Sequence, residues 1–238
     1  MLFHKRLLRY DAVVRVACLH ISVPRGAVQE RRLHYETMKT IIFDFGNVVA
    51  FFDHHRTLQR VQPHSPLSVE MMYASVYASD LEARVERGDL SVPEFLQQVH
   101  KTWQLDCELD FLLAAIGDIF WPNPEICELI PRLAPHYRIL LGSNTNAIHS
   151  RQFIAQFADV LCHFDSLVLS HEIGTRKPDV AFFRHCHSLA QADLAECVFV
   201  DDIAANIAGA RSVGFHAIHY RPNEDVAGQL RGLGVEFG

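Results

Sequence analysis

At 238 residues and 27.1 kDa, the chain is long enough for one good-sized domain or for a domain carrying an insertion. Hydrophobic residues make up 49% and charged residues 21%, an ordinary globular composition, and no apolar run approaches the roughly eighteen residues a membrane span requires. A formal charge of −6 and a pI near 6.2 give no basic footprint for nucleic acid, so the expected setting is the cytoplasm, with neither nucleic acid nor membrane as a partner.

Residues 1–37 differ from the rest. They carry seven Lys/Arg against three acids, net +4, whereas the remainder is net −10. The apolar stretch from Ala12 to Val23 is interrupted by Arg15 and His20 and makes a poor secretory segment. This basic N-terminal extension is expected to add nothing to the core, whether it is a presequence or a translated upstream region. Met38 stands immediately before the first core strand, and a chain beginning there is expected to fold. The six cysteines, Cys18, Cys107, Cys127, Cys162, Cys186 and Cys197, form no C-x-x-C pair and read as buried free thiols. The triplet His185-Cys186-His187 does not share one helix face, which argues against a metal cluster.

From Thr40 onward, short apolar runs alternate with helical ones. Thr40–Phe45 is apolar on both faces, as in a strand sandwiched between helix layers. Arg138–Leu141, Ser166–Leu169, Cys197–Val200 and His216–His219 read as further strands, separated by helices over Pro124–Leu133, Ala147–Phe157, Asp179–Ala190 and Ala204–Val213. Such alternation predicts an α/β fold with a parallel sheet and right-handed crossovers. Between the first two strands lies an interval too long for one crossover. Ser68–Ser79, Ser91–Gln104 and Glu108–Phe120 have helical periodicity there, and Ser91-Val92-Pro93-Glu94 is a capping box. The expected organisation is a core of residues 38–52 and 122–238 with an all-helical insertion over 53–121.

Four short pieces carry chemistry. Phe43-Asp44-Phe45-Gly46-Asn47-Val48 follows the first strand. Ser143-Asn144-Thr145-Asn146, Arg176-Lys177-Pro178 and Phe199-Val200-Asp201-Asp202 follow in order. Asp44, Ser143 and the Asp201-Asp202 pair each stand at a strand end, so they gather at the carboxyl edge of the sheet, where open α/β folds bind ligands. Together they offer a nucleophilic oxygen, a hydroxyl, a fixed cation and a carboxylate pair, the parts for moving a phosphoryl group with a divalent metal. Ser143 is read as opening a helix, so that the amides of Asn144 and Thr145 point at the same anion. Pro178 is read as the first helical residue after Lys177.

These four motifs, in this order, resemble those of the haloacid dehalogenase superfamily, and the insertion resembles that superfamily's C1-type helical cap. The resemblance implies a Rossmann-like parallel sheet core with an inserted helical cap domain, and Mg²⁺-dependent hydrolysis of a small phosphorylated substrate by a monomer or homodimer. Asp44 would be the nucleophile and form an aspartyl-phosphate, and Lys177 would neutralise charge beside it. Asp44, Asp202 and the Gly46 carbonyl would hold Mg²⁺, with Asp201 acting through water. Ser143 and Asn144 would bind the phosphate, and Asn206 would brace the Asp201 loop.

One residue departs from the pattern. Most phosphatases of the superfamily carry a second Asp two residues after the nucleophile, as general acid and base, where this chain has Gly46. The D-F-G-N-V form resembles the branch containing sugar-1-phosphate phosphatases. Asp53, His54 and His55, read as an exposed loop, are alternative proton sources. A 2-haloacid dehalogenase needs no such acid, and a non-catalytic binding protein needs none either. In the insertion, Glu86-Arg87-Gly88-Asp89 reads as a loop able to dip toward the sheet edge, with Arg84 or Arg87 reaching the substrate and Gly88 supplying backbone freedom.

Overall fold

The computed structural model describes residues 37–238. The basic extension, apart from Thr37, and Cys18 lie outside the described residues. β1 (Thr40–Phe43) leads through a tight turn to β2 (Ala50–Phe52). Five helices follow: α1 (His54–Val61), α2 (Val69–Val76), α3 (Asp80–Glu86), α4 (Val92–Thr102) and α5 (Leu109–Gly117). After them come β3 (Phe120–Pro122), α6 (Pro124–Leu133), β4 (Arg138–Ser143), α7 (Ala147–Gln156), α8 (Ala158–Leu161), β5 (Ser166–Leu169) and α9 (Ser170–Ile173). The chain closes with α10 (Val180–Ala190), β6 (Cys197–Asp201), α11 (Ala204–Val213), β7 (His216–His219) and α12 (Val226–Gly232).

Five strands form one parallel sheet in the order β5-β4-β1-β6-β7. β1 is central, with Ile42 in register with Leu140 on one side and Phe199 on the other. The sheet is apolar on both faces because helices cover both. Ile41, Phe43, Ile139, Leu141, Val198 and Val200 pack toward side chains of α6, α7 and α12. The alternate residues Ile42, Leu140 and Phe199 pack toward Phe182, Phe183 and Cys186 of α10 and Ala210 of α11. Gly209 permits this second layer: a Cβ there would stand 2.6 Å from the Phe183 ring and 2.8 Å from the Pro178 carbonyl. The chain runs outward from β1 to β4 and β5, then crosses to β6 and β7. The reversal point therefore lies at the carboxyl end of β1, beside Asp44.

The helices between β2 and β3 have an apolar cluster of their own. Leu58, Val61, Met72, Val76, Leu81, Val85, Phe95, Val99, Trp103 and Leu112 are buried together, joined by Ile148 of α7. The Ser91–Glu94 capping box forms as expected, with Pro93 in the first turn of α4. Two helices appear where loops were expected. α1 starts at His54, capped by Asp53, which accepts from the His55 N–H at 2.8 Å. α3 runs through Glu86, so only residues after it turn. The antiparallel pairing of β2 with β3 ties the two ends of this helical segment together.

The five described cysteines are free thiols as expected, but only Cys186 and Cys197 are buried, while Cys107 and Cys127 are half-buried and Cys162 is exposed. His187 Nε2 bonds the Ala192 carbonyl at 3.1 Å and Cys186 packs in the core, consistent with a structural role for that triplet. Among the described residues, no helix is long and apolar enough to cross a membrane.

Candidate active site

β1 delivers Asp44 into a nearly closed setting. Its amide still continues the sheet ladder by donating to the Val200 carbonyl at 2.9 Å. Its Oδ1 accepts from the Phe45 N–H at 2.7 Å and lies 2.7 Å from Lys177 Nζ. The following turn folds back on itself: the amides of Val48, Val49 and Ala50 all donate to the Phe45 carbonyl. Asn47 takes a left-handed φ of 56° in this turn, which Asn tolerates better than most residues. Its Nδ2 then reaches Asp202 Oδ2 at 3.1 Å.

β6 delivers the diacid. Asp201 is fully buried and accepts from Lys177 Nζ at 2.7 Å, from the Ile203 N–H at 2.8 Å, and from Asn206 Nδ2 at 3.0 and 3.1 Å. Asn206 thus holds both carboxylate oxygens of Asp201. Asp202, half-buried, keeps more of its capacity. Lys177 is 1% exposed and lies over the rings of Phe199 and Phe182, at 5.4 and 6.0 Å. Its backbone is clamped by one side chain: Asn144 Oδ1 accepts from the Lys177 N–H at 2.8 Å, and Asn144 Nδ2 donates to the Lys177 carbonyl at 2.9 Å. Pro178 follows across a cis peptide and stands outside the helix, with Asp179 as the N-cap of α10, so its expected place in the first turn is corrected.

Oxygens of Asp44, Asp201 and Asp202 lie within 4.8 Å of one another, and the Lys177 ammonium pairs with the first two. Burial pushes the Asp44 carboxyl well above the usual range, and the neighbouring charges of Asp201 and Asp202 add to this against the opposing pull of Lys177. Burial likewise raises Asp202. Burial alone would pull Lys177 down, but its two carboxylate partners outweigh that and hold it above its ordinary value. One ammonium does not neutralise three carboxylates in a desolvated site, so the cluster favours a further cation. Its oxygen donors are the type a hard divalent ion takes.

Ser143 ends β4 and is buried. It does not open the next helix: Asn146 is the N-cap of α7, accepting from the Ile148 and His149 amides at 2.9 and 3.0 Å. That leaves the Ser143 hydroxyl with only a long 3.4 Å contact to the Asn144 carbonyl. The Thr145 amide is also not free, because it donates to Ser170 Oγ at 2.9 Å. These are corrections to the expected anion-binding helix start.

A small cavity of about 50 Å³ adjoins the cluster, lined among others by Gly46, Phe52, His54, Glu82, Glu86 and Ser143. The three carboxylates do not themselves line it. Phe45 and Gly46, which follow Asp44, and Asn144, which holds Lys177, do. Residues 38–214 match the family model of the haloacid dehalogenase-like hydrolases. The chain belongs to that family. It is 24% identical over 184 residues to the D-ribitol-5-phosphate phosphatase of Bacteroides thetaiotaomicron, covering 75% of this chain and 89% of that one. It is 31% identical over 99 residues to the drimenol cyclase DrtB of Aspergillus calidoustus, but this spans 42% of this chain and only 16% of that protein. In fold it resembles a HAD family enzyme of Bacteroides thetaiotaomicron, solved as a variant with magnesium and inorganic phosphate. The TM-score is 0.72 at 21% identity, over 82% of this chain and 99% of the other.

This hydrolase does not bring Arg87 to the cavity. Arg87 ends α3 and pairs with Asp89 at 2.9 Å, half in solvent. The neighbouring Glu86 does line the cavity, and Arg176 lies 2.8 Å from its Oε2. The guanidinium is off the hydrogen-bonding axis, so the contact is an ion pair without a directed bond. Burial raises Glu86 to about 7, against the pull of Arg176. Gly88, at φ 75°, packs against α9 so closely that a Cβ would meet the His171 carbonyl oxygen at 2.6 Å. His54, read from the sequence as one of three alternative proton sources, lines the cavity, and so do Glu82 and His149, which the sequence reading does not single out, nor does it single out Asn47. A signal for Asn47 existed, since it sits inside the first motif. His149 had none, as its burial depends on packing from three elements.

Proposed function

We propose that this hydrolase is a Mg²⁺-dependent phosphomonoesterase acting on a small phosphorylated metabolite, a sugar or polyol phosphate, through an aspartyl-phosphate. The observation that carries this is the convergence on Lys177: its ammonium is 2.7 Å from Asp44 and 2.7 Å from Asp201, though the three residues come from three separate motifs. Asp44, Asp202 and the Gly46 carbonyl would hold the ion, with Asp201 held back by its own donors. When bound, the ion supplies charge neutralisation at the phosphoryl oxygens. Asp44 attacks phosphorus, Lys177 offsets the charge that accumulates beside it, and the Ser143 hydroxyl donates to a phosphoryl oxygen. Asn144 acts on the reaction by fixing Lys177. Water then cleaves the aspartyl-phosphate.

The helical segment 53–121 is the proposed cap, and the Glu86–Arg176 pair its tie to the core. A cap closed over a small cavity excludes water and suits a compact substrate. Glu82 and Glu86 inside the cavity can accept hydrogen bonds from substrate hydroxyls, which favours a polyol or sugar, and the ribitol-phosphate relative agrees with this. Gly46 favours one second reading, a 2-haloacid dehalogenase, because attack on carbon needs no acid at that position. The buried diacid beside Asp44 weighs against it. A panel of sugar 1-phosphates and polyol phosphates, assayed with and without Mg²⁺ beside 2-chloropropionate, decides. Metal-dependent phosphate release is expected; metal-independent chloride release would support the second reading.

A further inference from the structure

Gly46 leaves the site without a proton donor on the nucleophile loop, and the space it vacates is not empty. A Cβ at Gly46 would stand 2.8 Å from Phe52 Cε1. The Phe52 ring thus occupies the direction in which a side chain at 46 would point. Next to that ring, with centroids 5.1 Å apart, lies His54. His54 lines the same cavity as Gly46 and Ser143, and its Nε2 is 3.2 Å from Oε1 of Glu82, which also lines it. The imidazole is held flat against Tyr77, with centroids 4.0 Å apart and planes at 18°.

We infer that the His54–Glu82 pair, presented by α1 and α3 of the insertion, supplies the general acid and base that Gly46 cannot. The inference rests on the phosphatase reading above and deepens it. His54 Nε2 and Glu82 Oε1 stand close enough to share one proton, and imidazole and carboxylate are side chains that pass protons to and from reacting oxygens. In the first half-reaction a bond forms between an Asp44 oxygen and phosphorus and the phosphorus–ester bond breaks. The leaving oxygen takes the proton held between His54 Nε2 and Glu82 Oε1 and departs as an alcohol. In the second, water attacks phosphorus and passes one proton back to His54, the Asp44–phosphorus bond breaks, and inorganic phosphate leaves. Protons balance over the cycle.

The other candidates serve less well. Asp53 and His55 pair with each other at 3.0 Å, are about half exposed, and do not line the cavity. His149 lines it, but burial and the nearby His54 lower it to about 3, so the ring stays neutral and is a poor general acid. The titratable groups around His54 are Glu82 and Glu86 of α3, Tyr77 after α2, His149 of α7, and Asp53 one residue before it.

The test compares kcat/KM for p-nitrophenyl phosphate, which leaves readily, and phenyl phosphate, which leaves less readily, in wild type, His54→Gln, Glu82→Gln and Asp44→Asn. An acid matters more as the leaving oxygen becomes more basic. His54→Gln should therefore lower kcat/KM for phenyl phosphate on the order of 10²-fold and widen the gap between the two substrates at least about tenfold. Glu82→Gln should widen it in the same sense, and wild type should show only a shallow dependence. Equal losses on both substrates, or no loss, would overturn the inference. So would a steep dependence already present in wild type, a readout that does not require either variant to fold. Turnover surviving Asp44→Asn would instead overturn the phosphatase reading itself.

Discussion

Lys177 is a long cationic side chain held almost wholly out of water, which is costly unless every charge it gives up to solvent is replaced. Asp44 and Asp201 replace it, and the Asn144 clamp fixes the backbone from which it projects. Lys177→Met should destabilise the protein by about 3–5 kcal/mol in urea unfolding, because it leaves buried carboxylates facing one another. Added Mg²⁺ should restore part of that loss if the carboxylates hold the ion, and failure of any divalent ion to stabilise either form would argue against a metal site there. At Gly46, the Phe52 contact alters what an added acid would do. Gly46→Asp alone should cost about 1–3 kcal/mol from overpacking, and pairing it with Phe52→Ala should recover most of that specific strain. A single substitution with unchanged stability would show that Phe52 moves aside freely. Asp44, Lys177, Asp201 and Asp202 could be recognised from sequence because each stands beside a strand end or a Pro. The Phe52 obstruction could not, since it depends on how β2 packs over the turn.

Two buried groups set opposite pH slopes. The folded value of His149, about 3, lies below its ordinary 6.5, so the unfolded chain binds that proton first and stability falls as pH drops below 6.5. The folded value of Glu86, about 7, lies above its ordinary 4.5, so its contribution is present below 4.5 and is lost as pH rises through 7. Between 4.5 and 6.5 the two slopes oppose each other. Glu86→Gln should unmask His149, so that stability falls by about 2–3 kcal/mol more than in wild type on acidification across that interval. Urea midpoints at several pH values measure this, and parallel profiles for the two proteins would contradict it.

At the scale of elements, the strands and helices of the sheet layers were legible because each carries enough apolar residues to display its period. α6 and α11 have the expected bounds, and β5 and β7 do as well. α1 and α3 were not legible. Each is at most eight residues and buries only three, and α1 opens with two histidines and an arginine. β2 and β3 are three residues each and pair across the whole helical segment, a long-range contact that no local pattern reports. The cost was concentrated at the cavity, since α1 and α3 present His54, Glu82 and Glu86 to it. The Glu86–Arg176 pair joins α3 to the loop that carries Lys177. Arg176→Ala should therefore speed amide hydrogen exchange in α3 while leaving β1 and β6 protected. Uniform acceleration would mean that the pair supports the whole fold rather than the proposed closure.

For the molecule as a whole, sheet order turns four sequence motifs spread from Asp44 to Asp202 into one site. β1 stands between β4 and β6, so Asp44, Ser143 and Asp201 are neighbours although far apart along the chain. The helices between β2 and β3 lie outside that sheet order, which lets them vary the cavity without disturbing the cluster. The most direct test is a Mg²⁺ titration of p-nitrophenyl phosphate hydrolysis by wild type and Asp44→Asn. Saturable, metal-dependent turnover in wild type, lowered on the order of 10³-fold or more in the variant, is the expected result. Equal turnover in both proteins, or turnover indifferent to the metal, would contradict an Asp44 nucleophile in a metal-assisted site.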